Sequence, residues 1–173
     1  MAEEIINRVA SSPLVTIDLE DYYHKGERQV YDLAQNLFQG MILREKDLRE
    51  FVKEHDWSKY EGKNIALICS EDAIVPTWAY MLVATKLEGV ANKVVMGSLE
   101  TLEYALYQDV LSKIDAQEFA DKPIVIKGCG NLPVPDSAYV ELTMLLKPYA
   151  KSIMYGEPCS TVPLYKKPRR TTP

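Results

Sequence analysis

The chain is poor in the residues on which thiol frameworks and metal centres depend. Its 173 residues include only three cysteines and two histidines. No two cysteines form a C-x-x-C pair and three cannot all pair with one another, so a disulfide framework and zinc-finger spacing are not supported. Such sparing use of cysteine is typical of a reduced protein, and we expect a cytoplasmic location.

Other functional signals are missing as well. No apolar run approaches the roughly 18 residues of a membrane helix, and the acidic start Met1–Ile6 does not resemble a secretory signal, so we expect no membrane association. Neither GxGxxG after a strand, GxxxxGK[ST] nor GxSxG occurs, which disfavours nucleotide binding and serine hydrolysis. A net charge of −5 disfavours nucleic-acid binding, because phosphate affinity comes from clustered cations.

The composition that remains is that of an ordinary globular protein. Apolar residues make up 47% of the chain and charged residues 26%, and the length suits a single domain. We expect that domain to cover residues 1–163. A flexible basic tail, 164–173, is expected to follow, because Lys166–Arg170 reads KKPRR.

Hydrophobic spacing predicts a mixed order of elements. A β-branched segment predicts a strand at Leu14–Leu19, and i, i+3, i+4, i+7 spacing predicts helices at Glu27–Phe38 and Arg44–His55. From Lys63 onwards, short apolar strands alternate with helices, which favours a parallel sheet with helices on its faces. The predicted strands are Asn64–Cys69, Asn92–Met96, Pro123–Lys127 and Ser152–Tyr155, and the predicted helices are Pro76–Leu87, one capped by Ser98, and Pro135–Lys147.

An internal repeat lies within this alternation. Residues 63–97 align without a gap to residues 122–156, with nine identities in 35 positions. We interpret the two segments as duplicated βαβ units. Because such crossovers are right-handed, the duplication predicts a three-layer, flavodoxin- or Rossmann-like sheet of order 2-1-3-4, with the N-terminal strand and helices added. The order 3-2-1-4 is the alternative.

The three cysteines follow three of the predicted strands. Cys69 ends the first, Cys129 follows the third, and Cys159 lies shortly after the fourth. In the order 2-1-3-4 these strands are neighbours, so their carboxyl ends would place three thiols in one crevice. Thiolates bind zinc and iron–sulfur clusters, and Glu71 or Asp72 offers a further ligand. The alternative is that the cysteines are small core residues.

The loops after the first and third strands are also candidate binding sites. Cys129 lies between Gly128 and Gly130, with Asn131 following, and we expect a glycine with positive φ that lets the backbone approach a ligand. The helix that begins near Pro135 would direct its positive end here, lowering the thiol pKa. Ser70 occupies the corresponding loop of the first copy. An ordinary βα turn uses the same residues.

Five segments of the chain closely resemble a small bacterial family of unknown function, DUF2480, found mainly in Bacteroidetes. They are Met1–Val9, Leu43–Arg49, Cys69–Tyr80, Lys127–Gly130 and Gly156–Lys167. The resemblance covers nearly the whole chain and implies no established activity. It does imply an association with iron–sulfur cluster assembly, because genes of this family often lie beside those of the assembly machinery.

Three functions are therefore open. The first is an accessory factor in iron–sulfur metabolism that holds metal, cluster or sulfur at Cys69, Cys129 and Cys159, with iron–sulfur assembly proteins as its partners. The second is a thiol-dependent enzyme with Cys129 as nucleophile. The third is a non-catalytic protein-interaction module in which the cysteines belong to the core.

Overall fold

The fold is described from a computed structural model that covers residues 13–128 and 130–168. In chain order the helices are α1 (Glu45–Glu54), α2 (Thr77–Leu87), α3 (Leu99–Leu111) and α4 (Asp136–Leu146). The strands are β1 (Val15–Ile17), β2 (Arg28–Asp32), β3 (Leu37–Phe38), β4 (Ile42–Leu43), β5 (Asn64–Ile68), β6 (Lys93–Met96), β7 (Pro123–Ile126), β8 (Ser152–Glu157) and β9 (Ser160–Lys166).

The described residues group into two compact units. Unit 2 is His24–Leu106, and unit 1 comprises the described parts of Met1–Tyr23 and Tyr107–Pro173. The boundary falls within α3, whose first two turns belong to unit 2 and whose last residues belong to unit 1.

Unit 2 is built on a parallel three-stranded sheet of order β2-β5-β6. Ile65 and Leu67 of β5 belong to a core that includes Leu48 of α1 and Val83 of α2. Ala66, between them, packs with Leu102 and Leu106 of α3. Because side chains alternate along a strand, the two cores lie on opposite faces of this sheet.

Unit 1 is built on a second sheet of order β1-β7-β8-β9, in which β9 is antiparallel to β8 and the other pairs are parallel. Ile124 and Ile126 of β7 pack against buried side chains of α3 and α4, including Tyr107 and Leu142. The face of the sheet that carries these isoleucines is therefore its helix-covered face.

Most of the predicted elements are confirmed, and the protein is a mixed α/β fold with parallel sheets. Four helices and the strands β1, β5, β6, β7 and β8 lie where the sequence predicted them. Residues 63–97 and 122–156 are each a β-α-β segment with parallel strands.

The predicted single sheet of order 2-1-3-4 is wrong, and so is the alternative order 3-2-1-4. Strands β5 and β7 lie in separate sheets. The reason is that β2 pairs with β5 and β1 pairs with β7. The two N-terminal strands therefore occupy the edges at which β5 and β7 were predicted to pair with each other.

Two further predictions fail at the edges of the sheets. The helix predicted at Glu27–Phe38 is instead strand β2, a 3-10 turn at Leu33–Asn36 and strand β3. Asp32 accepts a hydrogen bond from Ala34 N at 2.9 Å, which starts the turn and ends the strand. Leu164–Lys166, assigned to a flexible tail, form the end of β9, while residues 169–173 lie outside the described residues.

Gly156 provides a test of the β8–β9 hairpin. Its φ is +123°, and a Cβ atom at this position would lie 2.6 Å from the backbone oxygen of Ser160. Gly156→Ala should therefore lower the free energy of unfolding by about 2–3 kcal/mol in urea denaturation. Gly62→Ala is the matched control, because Gly62 has φ +68° with open space around its Cα, and about 1 kcal/mol is expected there. Equal losses at both sites would contradict this geometry.

Candidate functional site

The carboxyl edge of unit 1's sheet carries an ion pair that the sequence analysis did not identify. Asp18 follows β1, and its carboxylate accepts hydrogen bonds from Glu20 N at 3.0 Å and from Lys127 Nζ at 2.8 Å. The hydrogen bond from Lys127 lowers the pKa of Asp18, and the same bond raises the pKa of Lys127. The pair therefore fixes the start of the Gly128–Gly130 loop to the end of β1.

Two aromatic rings and a carboxylate surround that loop. The Tyr155 hydroxyl donates to the Gly128 carbonyl at 3.2 Å, and the Tyr155 and Tyr139 rings meet edge to face at 5.8 Å. Glu20 accepts a hydrogen bond from Leu132 N on the other side of the loop. Burial raises the pKa of Tyr139, and the neighbouring Tyr155, Asp18 and Glu20 raise it further.

The glycines of this loop have a steric role. A Cβ at Gly128 would lie 2.6 Å from Tyr155 Cζ, and one at Gly130 would overlap the Glu20 carboxylate. Gly128 does not have the positive φ that was predicted for this loop. The φ of Gly130 includes an atom of Cys129, which lies outside the described residues. Asn131 is exposed.

The carboxyl edge of unit 2's sheet repeats part of this arrangement. Asp32 ends β2 and accepts a hydrogen bond from Ser70 N at 3.0 Å. Burial raises the pKa of Asp32, but the hydrogen bonds from Ser70 and Ala34 outweigh it, and the net shift is downward. Burial raises the pKa of Tyr80, and the nearby Cys69 and Asp32 raise it further.

The structure does not bring the predicted metal ligands together among the residues that it describes. Cys69 is half-buried at the end of β5, where its thiol donates to the Glu71 carbonyl at 3.6 Å. Cys159 is exposed in the β8–β9 turn, and Glu71 and Asp72 are exposed in the loop after β5. Within residues 13–128 and 130–168, no three His, Cys, Asp or Glu side chains form a group that could hold a metal ion.

The structure also does not meet the condition on which the predicted shared site of the three cysteines depended. It required the strands before Cys69 and Cys129 to be neighbours, and these strands lie in separate sheets. Cys129 itself lies outside the described residues, so its role remains a prediction.

An apolar groove runs along unit 1 between α4 and β9. Its volume is about 260 Å³, and its floor includes Ile126 and Tyr155. Three of the side chains around it are unusually exposed for apolar residues: Met144 by 68%, Val140 by 64% and Leu164 by 50%. Tyr139 and Thr143 complete the lining.

The sequence contained signals both for the aspartates at the carboxyl edges of the sheets and for the apolar groove. An Asp-Leu pair follows the strand residues Ile17 and Tyr31, and each Asp caps a 3-10 turn. Helix α4 is apolar on more than one side, because it exposes Val140 and Met144 while it buries Ala138, Leu142 and Leu146. A helix that is apolar all round is ordinarily buried, so its exposed side indicates a contact surface.

Comparison with known proteins gives a family and no function. The family model of a protein of unknown function, DUF2480, matches residues 3–167. The chain belongs to this family. No curated protein and no solved structure matches the chain significantly. In the part of the chain that the structure describes, no helix has the length and apolar character needed to cross a membrane.

The Asp18–Lys127 pair gives a prediction with a defined pH window. Because the pKa of Asp18 is lowered on folding, the pair stabilises the protein above the ordinary Asp pKa of 3.8 and this stabilisation is lost as the pH falls through the lowered value. Asp18→Asn should therefore lower the thermal midpoint at pH 7, and the difference from wild type should shrink below pH 3.8.

The control for this prediction is Asp21→Asn, which removes the same charge from the same 3-10 turn but leaves the bond to Lys127 intact. Calorimetry at several pH values measures both variants. A loss for Asp18→Asn that does not depend on pH would contradict the role of the ion pair.

Proposed function

We propose that this protein is a non-catalytic accessory protein that acts by binding another protein at the groove between α4 and β9. The observation that carries the proposal is the exposed apolar lining of this groove. Exposed apolar side chains are common singly, but a contiguous group of them that surrounds a groove marks a binding surface.

The energetics of the groove favour a protein partner. Complete burial of a Met, Val or Leu side chain contributes roughly 1.5–3 kcal/mol, and three such side chains in the lining are half exposed or more. Methionine is flexible and polarizable, so Met144 can adapt to the shape of a partner side chain. Polar groups are scarce in the lining, which suits an apolar surface better than a small polar substrate.

The duplication of residues 63–97 and 122–156 is part of the same proposal. In addition to the sequence identities, the glycines with positive φ at 97 and 156 are 59 residues apart, and so are the Asp56 and Asp115 caps of two 3-10 turns. Met81 in α2 then corresponds to Val140 in α4. Sheet order β2-β5-β6 ends at β6, so among the described residues unit 2 has no strand that corresponds to β9.

Iron–sulfur assembly proteins are the partners that we propose to test first, on the strength of the family resemblance. An accessory role in this process does not require the protein itself to hold the metal. Binding at the groove would be sufficient.

A thiol function at Cys129 is the second candidate. It is favoured by the tight packing of the flanking glycines against Tyr155 and Glu20, which leaves position 129 between two constrained neighbours. As part of this second candidate we propose that the helix that follows the loop lowers the pKa of the Cys129 thiol.

Site-specific photo-crosslinking tests the binding proposal. A benzophenone amino acid at position 144, in the groove, should give a crosslinked product with a second protein in the native host. The same substitution at Met81 should give none, although Met81 is also exposed, by 62%. Purified iron–sulfur assembly proteins should then compete for the crosslink. Equal crosslinking at 81 and 144, or none at 144, would contradict the proposal.

Metal content and thiol reactivity test the cysteine functions. In protein purified without oxygen, our proposal predicts that Cys69→Ser and Cys159→Ser do not change iron or zinc content. A fall in bound metal with each variant would instead favour the three-cysteine site. For the thiol function, Cys129 should react with iodoacetamide at pH 6 faster than the exposed Cys159, each measured as the single remaining cysteine.

A further inference from the structure

We infer that the occupant of the groove is an amphipathic helix of the partner protein, with acidic residues at one end, that lies beside α4. This inference rests on the proposed function and adds the mode of docking and the chemistry of the partner. It follows from the shape of the groove, from the edge strand and from the charge at one end.

The groove lies where a second helix could pack beside α4 on the sheet of unit 1. Helix α4 connects β7 to β8 and buries Leu142 and Leu146 against the sheet. Strand β9 extends the same sheet by one more strand, about 4.8 Å further. Tyr155 of β8 pairs with Val162 of β9, and both are exposed on the face that carries α4. Neighbouring helices pack 8–10 Å apart, or about two strand spacings, which places a second helix over β8 and β9.

The side of α4 that faces this position has the spacing of a helix-packing surface. Val140, Thr143 and Met144 line the groove at positions i, i+3 and i+4. Residues with this spacing form a ridge along one side of a helix, and such a ridge packs into the groove between the ridges of a second helix.

The edge of the sheet is unsuited to the addition of a strand. Pro163 lies in the middle of β9 and cannot donate a backbone hydrogen bond. The β8–β9 register also shifts between Ile153 and Met154, so Leu164 is an extra residue that interrupts the pairing. Prolines and bulges at sheet edges protect against strand pairing, so an occupant that docks by its side chains is favoured over an added strand.

One lysine lies at one end of the groove. Lys147 is one turn beyond Met144, and its Nζ lies 5.8 Å from the ring centre of Tyr165. Lys147 forms no ion pair with the residues that the structure describes. An occupant with acidic residues at this end would be complementary in charge, and acidic residues are favoured in the first turn of a helix.

Three synthetic peptides of equal length test the inference. The first has apolar residues at i, i+3, i+4 and i+7 and two glutamates in its first turn. The second replaces the glutamates by lysines, and the third has the composition of the first in an alternating, strand-like order. Each is titrated into protein with 13C-labelled methionine methyl groups. The first peptide should shift the signal of Met144 and leave those of Met81 and Met96 unchanged.

Charge reversal in the protein gives the matched control. Lys147→Glu should weaken binding of the first peptide about two- to fivefold and make the second peptide the better ligand, because an exposed ion pair becomes a repulsion. Lys147→Ala, which should weaken binding less, is the substitute if Lys147→Glu does not fold. Lys166→Glu is the matched control, because Lys166 lies on the other face of β9 and its reversal should not change which peptide binds better.

Other outcomes would overturn the inference in different ways. Preference for the strand-like peptide would show strand addition, and equal binding of the first two peptides would remove the acidic requirement. Concentration-dependent dimerisation that Met144→Glu abolishes would identify a second copy of the chain as the occupant. If no peptide binds while crosslinking at position 144 persists, the occupant is not a helix but the proposed function stands. If crosslinking also fails, both are wrong.

Discussion

The constraint on which this account depends is that the apolar face of a sheet must be covered. In unit 1, α3 and α4 cover the face formed by β1, β7 and β8. Strand β9 widens that face beyond α4, and Tyr155, Val162 and Leu164 are left exposed. Exposed apolar area of this kind is unfavourable in water unless another surface covers it. The apolar outer side of α4 meets the same gap, so one occupant would cover both.

The carboxyl edges of the two sheets have a different character from the groove. At both edges an Asp-Leu pair ends the first strand, and the aspartate accepts a bond from the loop that follows the middle strand. These bonds join segments that are more than 35 residues apart in the chain. They fix the loop that contains Cys69 and the loop that contains Gly128 and Gly130. These hydrogen bonds at the carboxyl edges therefore stabilise the fold whether or not a thiol there is functional.

Periodicity was sufficient to predict most of the elements but not their pairing. The apolar run at β5 and the Pro-started helix α2 have strong local signals, and both were predicted. Val30, Leu33 and Leu37 have helical spacing, but Asp32 ends a strand within that stretch and starts a 3-10 turn. The partner of each middle strand depends on contacts between distant residues, such as Val15 with Ile124, which local spacing does not encode. The cysteine site lost its premise for this reason, because it assumed that the strands before Cys69 and Cys129 are neighbours. The groove was missed because no strand was predicted at Ser160–Lys166 and the end of β9, Leu164–Lys166, was assigned to a tail.

Oxidative footprinting of methionines in cells is the most direct test of the central claim. Met144, Met81 and Met96 are similarly exposed, at 68%, 62% and 61%. They should therefore be oxidised at similar rates in the purified protein. If a partner occupies the groove, Met144 should be strongly protected in cells while Met81 and Met96 are not. Oxidation of Met144 in cells at the rate of the other two would contradict the claim that the groove is a binding site.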